Sequence, residues 1–132
     1  MKTVFNLFTS TSKDVVSVFE KYKWQFALES SNIGVWEWDA KSNKVNYSIE
    51  ALRILGHEEN TLNYDQADWR ERIHPEDLKQ LEINFNAHLT NKTSQYKSEH
   101  RILCKDGTYK WIIDCGKIIE RDKAGNPIRA IG

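Results

Sequence analysis

Between residues 12 and 29 apolar side chains recur at three- and four-residue steps, with Val15, Val18, Phe19, Tyr22 and Phe26 on one stripe. The pattern predicts an amphipathic helix, with Ser12 as its N-cap and Asp14 in its first turn. The stripe needs a cover, and at barely two heptads it fits equally a place on its own domain or a second copy of itself. Residues 1 to 11 are mildly apolar without a period and read as a mobile leader. After Ser30-Ser31-Asn32 the period changes to two: in GVWEWDA, Trp36 and Trp38 face one way and Glu37 and Asp39 the other. That is a half-buried strand. Lys41-Ser42-Asn43 turns the chain into a second strand carrying Val45 and Tyr47. Ser48 then caps a short helix from Ile49 to Leu55, closed by Gly56 at C′.

Residues 57 to 73 are polar, with Trp69 and Ile73 spaced for one or two helical turns. The next start is sharper. In HPEDL, Pro75 suits the first helical position, Glu76 and Asp77 suit the positive end of the dipole, and His74 becomes a boundary residue. Leu78, Leu81, Phe85 and Leu89 then make one stripe of a long helix reaching about Thr90. A meander follows: strands from about Gln95 to Cys104 and from Thr108 to Arg121, a turn over residues 122 to 127, and a strand opening at Ile128.

Asp106-Gly107 predicts a two-residue type I′ loop. With Lys105 opposite Thr108, Cys104 pairs with Tyr109, Ile102 with Trp111, His100 with Ile113 and Ser98 with Cys115, all on one inward face. The opposite face, Leu103, Arg101, Glu99 and Lys97 against Lys110, Ile112, Asp114 and Gly116, is largely charged, and there Glu99 and Arg101 stand two apart as a same-face ion pair or an interface contact. This register leaves the two cysteines roughly 20 Å apart along the strands, too far for a disulfide. They read as buried structural thiols, and no second pair stands at metal-ligand spacing.

Composition changes little in this picture. The chain has 132 residues, 39% of them hydrophobic, which suits one domain with one core. Nineteen basic and nineteen acidic side chains cancel, so no overall field draws it to nucleic acid or an anionic membrane. No apolar run is long enough to span a bilayer, and no secretory leader is visible, which points to the cytoplasm. No phosphate-binding glycine loop, kinase motif or nucleophile-histidine-acid set is present, so no catalytic residue and no metal ligand is assigned.

Several ordered segments carry a family resemblance: WQFALESSNIGVWEWDAKSNKVNYS, the IHPEDL helix start, YKSEHRILCKDGTYKWIID and DKAGNPIRAIG. Together they resemble a PAS domain with a C-terminal PAC motif, from about Trp24 to Gly132. The resemblance implies an α+β, PAS-like fold: a five-stranded antiparallel sheet with helices packed on one face, preceded here by the N-terminal amphipathic helix. It divides the chain into residues 1–23, leader and signalling or dimerisation helix, and residues 24–132, the PAS domain. It implies a non-catalytic sensory module that binds a small ligand or dimerises, and passes a conformational change to a C-terminal output domain such as a histidine kinase or a diguanylate cyclase or phosphodiesterase. Trp36, Trp38, Phe85, His100, Ile102, Trp111 and Ile113 are the candidate pocket residues, and Val15, Val18, Phe19 and Tyr22 the candidate dimer residues. A homodimer with a filled core and no ligand remains the alternative. Light-sensing relatives keep a reactive cysteine before the long helix, and residues 57 to 74 have none, so a covalent flavin is not expected. His88 matches the axial histidine of haem-binding members only by rough position, and haem is not expected either.

Overall fold

The computed structural model describes residues 12–58 and 65–132, so the expected leader, residues 1–11, lies outside the described residues. The chain divides into two compact units, one ending at Ile33 and the other spanning Gly34–Gly132. In the first, α1 runs Ser12–Ser31 without a break. The hydroxyls of Ser30 and Ser31 bond back to the carbonyls of Phe26 and Ala27, and Asn32, at φ 54°, takes the left-handed conformation beyond the helix end. Val18, Phe19 and Tyr22 are exposed.

The second unit is a five-stranded antiparallel sheet in the order β2-β1-β5-β4-β3. Its strands are β1 (Trp36–Asp39), β2 (Lys44–Tyr47), β3 (Tyr96–Leu103), β4 (Tyr109–Arg121) and β5 (Pro127–Ile131). Between β2 and β3 come the helices α2 (Ile49–Ile54), α3 (Gln66–Arg72) and α4 (Pro75–Leu89). Local chemistry sets most boundaries. The Asp39 carboxylate accepts from the amides of Lys41 and Ser42 at 2.8 and 3.1 Å, shaping the β1–β2 turn. Ser48 Oγ accepts from Ala51 N, and Gly56 (φ 74°) follows α2, as its C′ position requires. Asp65 caps α3. His74 caps α4 through a ring nitrogen that accepts from Glu76 N, with Pro75 in the first turn.

The β3–β4 hairpin departs from the expected register by one residue. Gly107 alone in its loop has positive φ, 84°. Its amide donates to Cys104 O at 3.0 Å, while Cys104 N donates to Thr108 O at 2.8 Å. The loop is therefore three residues, a turn followed by a left-handed glycine. Asp106 needs no positive φ because its carboxylate accepts from Thr108 N and Oγ1 at 2.9 and 2.7 Å. Arg101 thus pairs with Trp111, Glu99 with Ile113 and Lys97 with Cys115.

A one-residue slip turns one whole strand over. β3 faces as expected, with Tyr96, Ser98, His100, Ile102 and Cys104 buried. On β4 the inward positions are those of Ile112, Asp114, Gly116 and Ile118, while Trp111 (65% exposed) and Ile113 (66%) lie on the outer face. Trp111 and Ile113 are thereby corrected from interior to outer-face residues. Cys115 is likewise exposed rather than buried, although both thiols are free.

The core lies where α2, α3 and α4 meet β3. Leu55, Ile73, Leu81, Tyr96, Ile102 and Cys104 form one cluster, with Leu78 and Phe85 packed against it. α4 is tied to the sheet at both ends. Asp77 accepts from Arg101 N, Nε and Nη2 at 2.8, 2.9 and 2.8 Å, and Glu76 takes the same guanidinium at 2.8 Å. Arg101 therefore pairs with the start of α4 rather than with Glu99, and its guanidinium also sits over the Trp111 ring. These bonds hold the Asp77 carboxyl well below the usual range. At the other end His88 is buried: Ile118 N donates to its Nε2 at 3.0 Å, so Nδ1 carries the proton that meets Thr93 O at 2.9 Å. Arg121 completes the end by donating to the carbonyls of Leu89 and His88.

Candidate functional site

Between the inner face of the sheet and α3–α4 lies a cavity of about 690 Å³. Its wall is built largely from aromatic rings. Phe85 stands edge-on to Tyr96 at 5.5 Å between centroids, and Tyr47 stacks on Trp69 at 6.0 Å. Trp36 and Trp38 reach in from β1, Trp69 from α3 and Phe85 from α4.

Trp36 has the most exacting position. Its backbone pairs both ways with Gly132, at 2.9 and 3.0 Å, and its indole lies over Gly132 and Gly116. A Cβ on Gly116 would stand 2.6 Å from Trp36 Cζ2. The two glycines leave the strip on which the ring rests. From there Trp36 Nε1 donates to Asp114 Oδ1 at 2.8 Å.

Asp114 lines the cavity and is only 8% exposed. The Tyr96 hydroxyl is also hydrogen-bonded to it and to Ser98, and Ser98 Oγ meets His100 Nδ1 at 3.2 Å. Burial pushes the Asp114 carboxyl up to about 6 against the opposing pull of the Trp36 and Tyr96 bonds. Burial likewise drives the Tyr96 and Tyr47 hydroxyls far above their ordinary range. His100 is fully buried, its Nε2 has no partner among the described residues, and desolvation lowers it to about 4, so it is neutral at pH 7. At the rim, Arg70 of α3 and Glu82 of α4 form an ion pair across the opening.

Of the candidate pocket residues, Trp36, Trp38 and Phe85 line the cavity. His100 and Ile102 lie in the packed core beside it, and Trp111 and Ile113 are on the far side of the sheet. Asp114, Tyr96 and Trp69 are wall residues that sequence reasoning did not select. A two-residue loop puts Asp114 on the charged outer face. The available signal was the competing three-residue loop, since Asp-Gly also suits a turn with a left-handed glycine. His88 is unsuited to an axial role, because both ring nitrogens are engaged by backbone groups. Among the described residues no cluster of histidine, cysteine or carboxylate side chains could hold a metal ion, and no helix is long and apolar enough to cross a membrane.

Gly116→Val is expected to displace the Trp36 indole, break its bond to Asp114 and cost about 1–3 kcal/mol of stability, the usual range for overpacking. Urea unfolding and the exchange rate of the Trp36 indole N–H measure the two effects. An unchanged exchange rate would contradict the placement.

Comparison with known proteins follows this architecture. No curated protein matches. Among solved structures, a sensory box histidine kinase/response regulator from Burkholderia thailandensis is 28% identical, with a TM-score of 0.71 over 83% of this chain and 80% of that one. The N-terminal domain of a diguanylate cyclase with a PAS/PAC sensor from Marinobacter aquaeolei is 25% identical, with a TM-score of 0.61 over 75% and 89%. A PAS domain from Colwellia psychrerythraea shares the fold at 15% identity, with a TM-score of 0.63 over 83% and 90%. The PAS fold family matches residues 44–132, from β2 to the end of β5. With two thirds of its length matched and all five strands of the sheet in place, the chain belongs to the PAS fold family.

Proposed function

We propose that this domain is the sensory input module of a signal-transduction protein, non-catalytic itself, in which a small ligand in the cavity biases the sheet and the change passes to a C-terminal output domain. Histidine kinase and diguanylate cyclase outputs suit this reading, because the two most similar structures described above come from such proteins. The observation that carries it is the cavity, walled by aromatic rings and holding a buried carboxylate. It favours a ligand over the alternative of a homodimerisation module with a filled core. Trp36 supplies the link to the output, since it lines the cavity and its backbone is bonded both ways to Gly132, the residue after β5. A ligand shifts such a module only through unequal affinity for its two states.

The same proposal divides the chain into residues 1–23, leading segment and helix, and residues 24–132, the sensory domain. It makes the module a cytoplasmic homodimer with Val15, Val18, Phe19 and Tyr22 of α1 at the contact. A thermal-shift screen with native mass spectrometry tests it. A true ligand at a hundred times its Kd stabilises by about 2.7 kcal/mol, which raises Tm by several degrees. Neither adduct nor shift across a broad metabolite library would reject the ligand reading and leave assembly alone.

A further inference from the structure

Among the described residues, the charged side chains on the cavity wall are Arg70, Glu82 and Asp114. Arg70 and Glu82 neutralise each other at the rim. Asp114 is left as a buried carboxylate whose hydrogen-bond partners are neutral: the Trp36 indole and the Tyr96 hydroxyl. No salt bridge reaches it among the described residues. An ionised carboxylate accepts about four hydrogen bonds, so two donors leave acceptor positions over. The indole N–H can only donate, which favours the ionised carboxylate over the acid. An unpaired charge in such a place is costly unless something cationic joins it. Around it stand the faces and edges of Trp36, Trp38, Tyr47, Trp69, Phe85 and Tyr96, and aromatic faces attract cations.

We propose that the cavity takes a small organic cation, an amine on an aromatic or apolar body, with its ammonium on Asp114 and its body among the rings. The proposal rests on the reading of the cavity as a ligand site and adds the chemical class. Among the described residues its complement of one net negative charge and six aromatic side chains, with no free cation, disfavours carboxylate ligands, which would face Asp114. Neutral aromatic compounds would fit the walls but leave the carboxylate unpaired.

Calorimetric titration of the whole chain with matched probes tests the class: benzylamine against benzyl alcohol, phenethylamine against phenylethanol, and tryptamine against tryptophol, with indole-3-propionate as the anion. At least one amine is expected to bind about tenfold or more tightly than its alcohol, because its ammonium adds an opposite charge to a hydrogen bond that the alcohol makes without one. Asp114→Asn is expected to bring each amine and its matched alcohol to similar affinity. The wild-type comparison stands by itself should the variant fold poorly. Alcohols or the acid binding as well as the amines would overturn the cation class and leave the ligand reading intact, as would an amine preference that survives in Asp114→Asn. Silence from every probe, together with a blank metabolite screen, would remove both.

Discussion

Ile102→Ala is expected to destabilise the domain by about 2–5 kcal/mol, the range for truncating a large aliphatic core side chain. Ile102 has no exposed surface and stands in the cluster formed by Leu55, Ile73, Leu81, Tyr96 and Cys104. It also forms a backbone bridge to Ile73, where the chain enters α4. Several elements would therefore have to collapse together to refill the void, and the loss falls toward the upper end of the range. Ile113→Ala supplies the contrast. With Ile113 on the outer face, its removal should cost no more than about 1 kcal/mol, the span of strand propensity. Urea unfolding of both variants checks the hairpin register directly. A large loss at Ile113 would restore the two-residue loop and overturn the observed facing of β4.

Between pH 6.5 and 4.5 two buried groups should pull stability in opposite directions. The Asp114 carboxyl is raised from 3.8 to about 6, so within this range the folded state holds a proton that the unfolded chain has released. Stability from this group falls as pH rises toward 6. His100 is lowered from 6.5 to about 4, so the unfolded chain binds a proton that the folded state refuses. Its contribution is complete above 6.5 and is lost as pH falls toward 4. At about 1.4 kcal/mol per unit, each shift carries about 3 kcal/mol, and the two nearly cancel. Asp114 faces Trp36 and Tyr96, with Tyr47 in electrostatic range; His100 faces Ser98 and Trp69, and Asp77 opposes its shift slightly. His57 is lowered as well and acts in the sense of His100. Carboxylates with lowered values, Asp77 among them, lose their contribution only below their unfolded range near 4.

The wild-type profile should therefore be nearly level over this window. Asp114→Asn should unmask the histidine and lose about 2–3 kcal/mol on going from pH 7 to 4.5. His100→Asn should show the opposite slope. Urea titrations at half-unit pH steps measure all three, and an Asp114→Asn profile as level as the wild type would refute the assignment.

Both predictions turn on residues that differed in legibility. His100 and Ile102 were placed inside by alternation in β3, and they are inside. Trp36 and Trp38 were placed inside by the same period in β1, and both line the cavity. Ser48, Gly56, His74 and Pro75 marked the helix ends, because a cap is a bond between a side chain and a backbone amide two or three residues away. Asp114 was misread. Its facing depends on how many residues the loop at Asp106-Gly107 holds, and the same two letters suit two lengths. The pairing of Arg101 with Asp77 and Glu76 was also invisible, since those partners come from different elements and nothing in the spacing joins them.

What the chain by itself determined was therefore the elements, their order and the inward faces of β1, β2 and β3, since these follow from periods and caps that act within a few residues. The tertiary structure decided the rest: that α4 is pinned at both ends by Arg101, His88 and Arg121, and that Gly116 and Gly132 make room for one indole. It also decided that a carboxylate on β4 turns inward without a cation. Burial and hydrogen-bond partners are properties of groups brought together across the sheet, and a charge acquires its chemistry only from what stands around it.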